Sequence, residues 1–185
     1  MEIPLKGLGN TFSAEIDDSD AALVEGYPWA VMKDDRNFYA VARVKRDDGR
    51  RAVVLMHRLI LPGVREVDHK DGNGLNNTRN NLRASTHSQN IANAKLRCDC
   101  SSGFRGVTFD IVYRRPWRAQ TCKDGRITRL GGFATPEEAA LAYNNAAVEL
   151  HGEFARLNVI QPAAMRKPAG RAQYSLPFNE SEVAA

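Results

Sequence analysis

The residues best suited to chemistry are an adjacent acid and histidine, Asp68 and His69, with an asparagine downstream at Asn90. Phosphodiester hydrolysis needs a base that activates water and a cation that stabilises charge on the phosphate and the leaving oxygen. A carboxylate and an imidazole supply both functions where a strand ends, because side chains on its opposite sides converge there. Asn90 adds an oxygen ligand suited to Mg²⁺. These three residues predict a site for metal-assisted hydrolysis.

Two short strands and a helix must position these side chains. Residues 72–74 mark a tight turn region between the strands. Thr86, with Gln89 three residues later, predicts a capping box at the start of the helix. We therefore expect strand, loop, strand and helix in order over residues 66–96. An isolated Asp-His pair is common at protein surfaces, so the prediction depends on the whole set of residues in order.

This segment resembles the HNH endonucleases found in phage genomes and group I introns. The resemblance is carried by His57-Arg58-Leu59-Ile60, Asp68-His69, Asp71-Gly72-Asn73, Asn76-Asn77, Asn81-Leu82-Arg83 and Ser88-Gln89-Asn90. It implies a ββα-metal nuclease at residues 57–97 that cuts or nicks DNA to leave 5′-phosphate and 3′-hydroxyl ends. His69 would be the general base. Asp68 and Asn90 would hold one Mg²⁺ or Mn²⁺, and Asn81 would tether the loop and help to orient His69.

The ligand from the helix has an alternative. The last position of the HNH motif is His in many members of that family, and it is Asn90 here. His87 lies one helical turn earlier on the same face and could replace it. Asn90 is preferred because it keeps the expected distance from Asn81. His57 is expected to be a packing residue or to lie near a phosphate, with a buried structural role favoured over a catalytic one.

Positive charge is concentrated in the middle of the chain. Residues 57–135 contain 14 Lys and Arg against 6 Asp and Glu, whereas residues 1–56 contain 8 against 10 and residues 136–185 contain 4 against 6. A local excess of this kind is typical of a surface that binds a polyanion, because neutralised phosphates release counterions. We therefore expect double-stranded DNA as the partner.

A second unit is predicted at residues 103–160, with three β-like stretches at 104–109, 117–122 and 128–132 and one helix. The helix should begin at Thr135-Pro136-Glu137-Glu138 and end at Gly152. Ala139, Tyr143, Ala146 and Leu150 fall at helical spacing and should face the sheet. The helix lacks Lys and Arg, whereas the sheet portion is basic. The sheet is therefore expected to face DNA.

This unit resembles the Apetala-two domain of plant ethylene-response factors. The resemblance is carried by Phe104-Arg105-Gly106-Val107, Trp117-Arg118-Ala119, Leu130-Gly131-Gly132-Phe133, Thr135-Pro136-Glu137-Glu138 and Ala142-Tyr143. It implies a three-stranded antiparallel sheet packed on one helix, with the sheet in the major groove of DNA. By that resemblance Arg105, Gly106, Trp117 and Arg129 fall at positions that contact DNA. Arg118 is a further candidate for a phosphate contact because of its charge.

The remaining segments complete an α+β organisation. Residues 1–56 form a β-rich N-terminal element, with strands expected at 11–16, 39–45 and 52–56 and a hairpin turn at Asp47-Asp48-Gly49. Residues 98–102 are expected to be a linker, and residues 161–185 a flexible tail.

The combination of a cutting unit with a targeting unit predicts a site-specific, metal-dependent DNA endonuclease of the homing type. The alternative is a non-catalytic, sequence-specific DNA-binding regulator, and a structural protein of a phage particle is a third possibility. The chain has no apolar run of membrane-spanning length and no signal-peptide pattern. We expect a cytoplasmic protein, in the host cell if phage-encoded. The oligomeric state is left open, with a monomer favoured.

Overall fold

The computed structural model describes residues 1–7, 12–34, 37–96 and 100–160. Within these ranges the chain forms small antiparallel sheets and few helices, as the α+β prediction requires. The predicted tail at residues 161–185, the first two residues of the predicted linker at 98–102, and Thr11 of the first predicted strand lie outside the described residues.

The N-terminal element consists of two antiparallel sheets. One pairs the first two strands, and the other has the order β3-β4-β5. The turn between β4 and β5 was predicted, and Gly49 adopts a φ of +79° in it. The strands β1 and β3 were not predicted. The bounds in chain order are β1 (Glu2–Leu5), β2 (Phe12–Glu15), α1 (Ala21–Val24), β3 (Trp29–Asp34), β4 (Asn37–Lys45) and β5 (Arg51–Leu55).

Several predicted strand boundaries differ from the structure by one to three residues, and two of the differences have a clear local reason. The strand expected to reach Met56 ends at Leu55, because Met56 begins the helix α2 (Met56–Ile60) and packs in the core together with Ile60. The strand expected from residue 104 begins at Val107. Gly106 has a φ of +69°, which extended backbone cannot have.

The nuclease-like segment continues with β6 (Glu66–His69), β7 (Leu82–Ser85) and α3 (His87–Asn93). The two strands are antiparallel, with His69 opposite Leu82. The predicted capping box is confirmed, since Thr86 accepts a hydrogen bond from the backbone of Gln89 and the Gln89 side chain bonds back to Thr86. A twelve-residue loop, residues 70–81, separates the strands.

One hydrophobic core joins the N-terminal strands to the nuclease-like segment. Seven of its eleven buried members precede residue 56 and four belong to the segment that follows. The members are Leu5, Ala14, Ile16, Val24, Trp29, Ala40, Ala42, Met56, Ile60, Val67 and Leu82. The two parts of the chain therefore pack as a single unit.

The N-terminal strands also hold the loop at residues 70–81. The backbone of Glu15 donates to Leu75 O at 2.8 Å and accepts from Asn77 N at 2.7 Å. From β4, Asn37 donates to Gly72 O at 3.0 Å and accepts from Gly74 N at 3.2 Å. The loop is therefore fixed from two sides by strands that come earlier in the chain.

The C-terminal unit has a three-stranded antiparallel sheet, β8 (Val107–Phe109), β9 (Trp117–Lys123) and β10 (Arg126–Phe133), with β9 in the centre. It packs on α4 (Pro136–His151), whose predicted N-cap and terminating glycine are confirmed. Of the helical positions expected to face the sheet, Ala139 and Tyr143 are buried. Ala146 and Leu150 are only half-buried, because Ala140 and Ala147 occupy the centre of that face.

In the described ranges, none of the helices has the length and apolar character needed to span a membrane.

Candidate functional site

The nuclease-like segment and the sheet β3-β4-β5 line a cleft of about 700 Å³. Asp68 and His69 reach it from the end of β6, and Asn90 reaches it from α3. Asp68 and His69 are buried, with 4% and 5% of their surface exposed. The three residues that the sequence analysis singled out thus line one cavity.

The ring of His69 is fixed by Asn77. Its Nε2 lies 3.2 Å from Asn77 Oδ1, and Asn77 is fully buried. Because the amide nitrogen of Asn77 donates to Leu75 O, its oxygen is the acceptor, so His69 Nε2 carries the proton. In this tautomer Nδ1 keeps its lone pair. Burial lowers the pKa of His69 below the usual value, and the Asn77 hydrogen bond and nearby Asp71 oppose it only in part.

Asn81, predicted to tether the loop and help to orient His69, contacts the loop alone in this structure. Its Oδ1 accepts from Asp71 N at 3.1 Å, and its Nδ2 donates to Asp71 Oδ1 and to Asn76 O. It therefore ties the two ends of the loop together. The contact with the His69 ring is made by Asn77 instead, because the path of the loop brings that residue under the ring.

The Asp68 carboxylate is held by two side chains. Arg83 Nε donates a hydrogen bond to Asp68 Oδ2 at 2.8 Å, and Arg83 Nη2 lies 2.7 Å from the same oxygen. Asn93 donates from Nδ2 to Oδ1 at 3.0 Å and to Oδ2 at 3.1 Å, and also to His69 O at 2.7 Å. Asn93, which was not predicted from the sequence, lies one turn beyond Asn90 on the cleft-lining face of α3.

The two candidate ligands on α3 differ in their surroundings. Both side chains line the cleft, but Asn90 is half-buried, whereas the His87 side chain is 79% exposed and lies 3.4 Å from Glu66. The described part of the chain contains no group of three or more His, Cys, Asp or Glu side chains that could hold a metal ion. A cation in this cleft would therefore rely on carboxylate and amide oxygens. That donor set fits a hard divalent ion that retains several waters.

Further polar groups line the same cleft. His57 is buried with its ring centroid 5.1 Å from that of His69, edge to face, and Tyr39 packs 6.0 Å from both rings. Burial lowers the pKa of His57 to about 3, so the ring is neutral at neutral pH. Arg58 and Arg65 are exposed at the cleft and were not singled out from the sequence. They add two positive charges to a lining that also contains Lys95 and the carboxylates of Asp34, Glu66 and Asp68.

The C-terminal sheet presents one face to α4 and the other to solvent. Strand register places Arg118, Gln120 and Arg129 on the solvent face, and Arg129 lies opposite Gln120. The Arg118 guanidinium lies 4.5 Å from the ring centroid of the exposed Tyr113. Two of the five predicted DNA contacts, Arg118 and Arg129, are thus on a solvent-facing basic surface.

The other three predicted DNA contacts lie toward the helix. Trp117 packs on the core of this unit and edge to face on Phe109. Arg105 has a side-chain hydrogen bond with Tyr143. A methyl group at Gly106 would overlap the Tyr143 ring, so both packing and its positive φ require glycine there. These residues shape the sheet, and their contact with DNA stays a prediction.

Known proteins are similar to parts of the chain. The HNH endonuclease family matches residues 54–92. An uncharacterized HNH endonuclease of Acanthamoeba polyphaga mimivirus is 40% identical over 94 residues, which are 51% of this chain and 47% of that protein. Protein 3.8 of Escherichia phage T7 is 33% identical over 90 residues, which are 49% of this chain and 73% of the phage protein. No solved structure matches the chain.

A plant protein is also similar in part. An ethylene-responsive transcription factor of Arabidopsis thaliana is 35% identical over 104 residues, covering 52% of this chain and 60% of its own length. The chain spans about half the length of the mimivirus relative. The matches indicate a nuclease and suggest DNA binding. The chain thus carries an HNH endonuclease domain over residues 54–92 and belongs to the same family as phage protein 3.8.

Proposed function

We propose that this chain is a site-specific, metal-dependent DNA endonuclease of the homing type. The HNH domain would cut, and the C-terminal sheet would hold the DNA. The observation that carries the proposal is the convergence of Asp68, His69 and Asn90 on one cleft, with the His69 ring fixed by Asn77. The similarity to a viral HNH endonuclease supports the cutting activity, and the similarity to a plant transcription factor supports DNA binding.

His69 serves as the general base. Its lowered pKa keeps the imidazole neutral at neutral pH, so the ring is ready to accept a proton from water. The hydrogen bond to Asn77 leaves Nδ1 as the basic nitrogen and limits rotation of the ring. Asn81 contributes indirectly, by keeping the loop that bears Asn77 closed.

Asp68 and Asn90 would hold one Mg²⁺ or Mn²⁺, with His87 as the alternative to Asn90. The bound cation would stabilise charge on the phosphate and the leaving 3′ oxygen. Arg83 and Asn93 keep the Asp68 carboxylate directed at one place. Arg58 and Arg65, exposed at the cleft, would contact backbone phosphates.

The C-terminal sheet would fix the position of the chain along the DNA duplex. Arg118 and Arg129 on its solvent face would contact DNA, and the resemblance adds Arg105, Gly106 and Trp117. An HNH site of this kind contacts mainly phosphate and sugar, so sequence preference would come from the sheet. We favour a monomer because a single chain contains both units. We propose that it acts in the cytoplasm of a host cell.

Cleavage of supercoiled plasmid and phage genomic DNA with Mg²⁺ tests this function. We expect nicked or linear product with the wild type, none with EDTA, and none with His69→Ala. The matched control is His151→Gln, which changes a histidine at the end of α4 outside the cleft and should leave cleavage unchanged. The ratio of nicked to linear product reports whether one strand or both are cut.

A DNA-binding regulator is the second candidate, because both oxygens of Asp68 already accept hydrogen bonds from Arg83 or Asn93. It predicts tight, salt-sensitive DNA binding without cleavage in Mg²⁺ or Mn²⁺. That combination would overturn the nuclease proposal.

A further inference from the structure

Within the C-terminal unit, the segment that follows α4 packs against Arg83 of the nuclease-like segment. Phe154 is buried there, and its ring centroid lies 3.7 Å from the guanidinium carbon of Arg83. The Glu153 carbonyl accepts a hydrogen bond from Arg83 Nη1 at 3.0 Å. The Glu153 carboxylate lies 3.6 Å from the same nitrogen. Residues of the unit expected to bind DNA thus surround one side chain of the nuclease.

That side chain, Arg83, is the one that fixes Asp68. Its Nε and Nη2 face the Asp68 carboxylate, and its Nη1 faces Glu153, so the two edges of one guanidinium join the two units. Only 11% of the Arg83 side chain is exposed. A planar, buried guanidinium held on both edges and on one face has little freedom to rotate. The position of Asp68 therefore depends on where residues 153 and 154 lie.

A second contact runs in parallel through α3. Arg156 Nη1 donates to Asn93 O at 3.2 Å, and Asn93 is the other residue that holds Asp68. The Arg156 guanidinium also covers Gly72, where a methyl group would overlap it. Both supports of the Asp68 carboxylate are thus braced by residues 153–156.

We propose that residues 153–156 form a strut through which the C-terminal unit positions Asp68 for metal binding. Arg83 is the positioning residue at its centre, and Phe154 is the contact that locks it. This inference rests on the proposed function, in which Asp68 is a metal ligand. In this chain the metal site is therefore complete only with the C-terminal unit docked, which couples correct seating of that unit on DNA to cutting.

Substitutions in the strut should weaken metal binding without weakening DNA binding. Phe154→Leu keeps apolar packing and removes the aromatic face, and Arg83→Lys keeps the charge and removes the planar fork. Neither change touches the solvent face of the sheet. Residues that orient a metal ligand typically contribute about 10-fold or more to metal affinity.

The test is titration of the DNA-free full-length chain with Mn²⁺, followed by electron paramagnetic resonance of the free ion. We expect the Kd for Mn²⁺ to rise about 10-fold in Phe154→Leu and in Arg83→Lys. Phe109→Leu is the matched control, since Phe109 lies in the same unit and packs on Trp117 away from Arg83, and its Kd should equal that of the wild type. Duplex affinity in EDTA should stay within about twofold of the wild type for Phe154→Leu and Arg83→Lys, since neither residue lies on the solvent face of the sheet.

Circular dichroism checks that each variant is folded. If Arg83→Lys does not fold, Arg156→Gln tests the parallel contact through Asn93, with the same expected rise in Kd. A wild type that binds Mn²⁺ and cleaves, with Phe154→Leu and Arg156→Gln indistinguishable from Phe109→Leu, would overturn the strut and leave the nuclease standing. A wild type that neither binds Mn²⁺ nor cleaves would overturn both.

Discussion

At the scale of single residues, the cleft places two buried neutral imidazoles beside each other. His57 and His69 are edge to face, and each is more easily kept neutral than charged. For His57 the cost of charging is the larger, since burial and the neighbouring His69 and Arg58 all disfavour the protonated ring. The free energy of unfolding should therefore decrease in acid.

When folding lowers the pKa of a histidine, protonation is more costly in the folded state than in the unfolded state. The free energy of unfolding is then greatest above the unfolded pKa and decreases as the pH falls from that value toward the folded pKa. For His57 that range runs from about 6.5 down to about 3. We expect the free energy of unfolding to fall by about 2.5 kcal/mol more in the wild type than in His57→Phe between pH 7 and pH 4.5. Urea unfolding at the two pH values measures this difference. Equal losses in the two proteins would mean that His57 is not buried in its neutral form.

The sequence indicated Asp68, His69 and Asn90, because their order and spacing are specific. It did not distinguish Asn77 from Asn81 as the partner of His69, nor did it single out Asn93. All are asparagines in or after the same loop, and which of them reaches the ring depends on the path of the chain between two strands. That path is set by contacts with Glu15 and Asn37, more than thirty residues away in sequence.

At the scale of elements, the N-terminal strands pack against the loop at residues 70–81. Gly74 shows how closely they approach, because a methyl group there would overlap Phe38 O and the Tyr39 ring. No positive φ is involved at this position, so space alone excludes a side chain. Small movements of β4 would therefore displace the loop that carries Asn77.

We expect Gly74→Ala to lower the free energy of unfolding by about 2 to 3 kcal/mol, since the loop must move away from β4. Cleavage should fall with it. Gly63→Ala is the matched control: Gly63 has a φ of +77° with open space around it, so its cost should be only the conformational one, about 1 kcal/mol. Urea unfolding curves for both variants provide the comparison. If the two variants are equally stable, β4 does not confine the loop.

Helices, strands and turns were predicted correctly where residues close together in the sequence determine the local backbone conformation. The capping box at Thr86, the hairpin at Gly49 and the full length of α4 are local features, and they appear where expected. The strand β1 was missed because Glu2–Leu5 is short, contains a proline and depends on pairing with β2. Pairing between distant segments leaves little local signal.

At the scale of the whole molecule, the cleft and the solvent face of the C-terminal sheet should make separable contributions. Arg129→Ala removes one charge from that face and leaves the cleft intact. We expect the slope of log affinity for duplex DNA against log salt to decrease in magnitude by about 1. At saturating DNA the cleavage rate should be retained. Fluorescence anisotropy over a range of NaCl concentrations, in EDTA, measures the slope.

Arg50→Ala supplies the control, since Arg50 is an exposed arginine next to the β4–β5 turn, outside the proposed surface. Its slope should match that of the wild type. A decrease of the same size in both variants would show that DNA attraction comes from overall charge and not from the sheet.

The core that spans residues 5 to 82 also bears on how such genes recombine. The segment that matches the HNH family contains only four of the eleven residues in that core, so it lacks the apolar interior that a chain of its length needs to fold alone. A crossover at its borders would transfer Asp68, His69 and Asn90 without the strands that support them. Exchange between relatives should therefore leave residues 1–96 unbroken, and any exchange of the C-terminal unit should keep the contacts of residues 153–156 with Arg83 and Asn93.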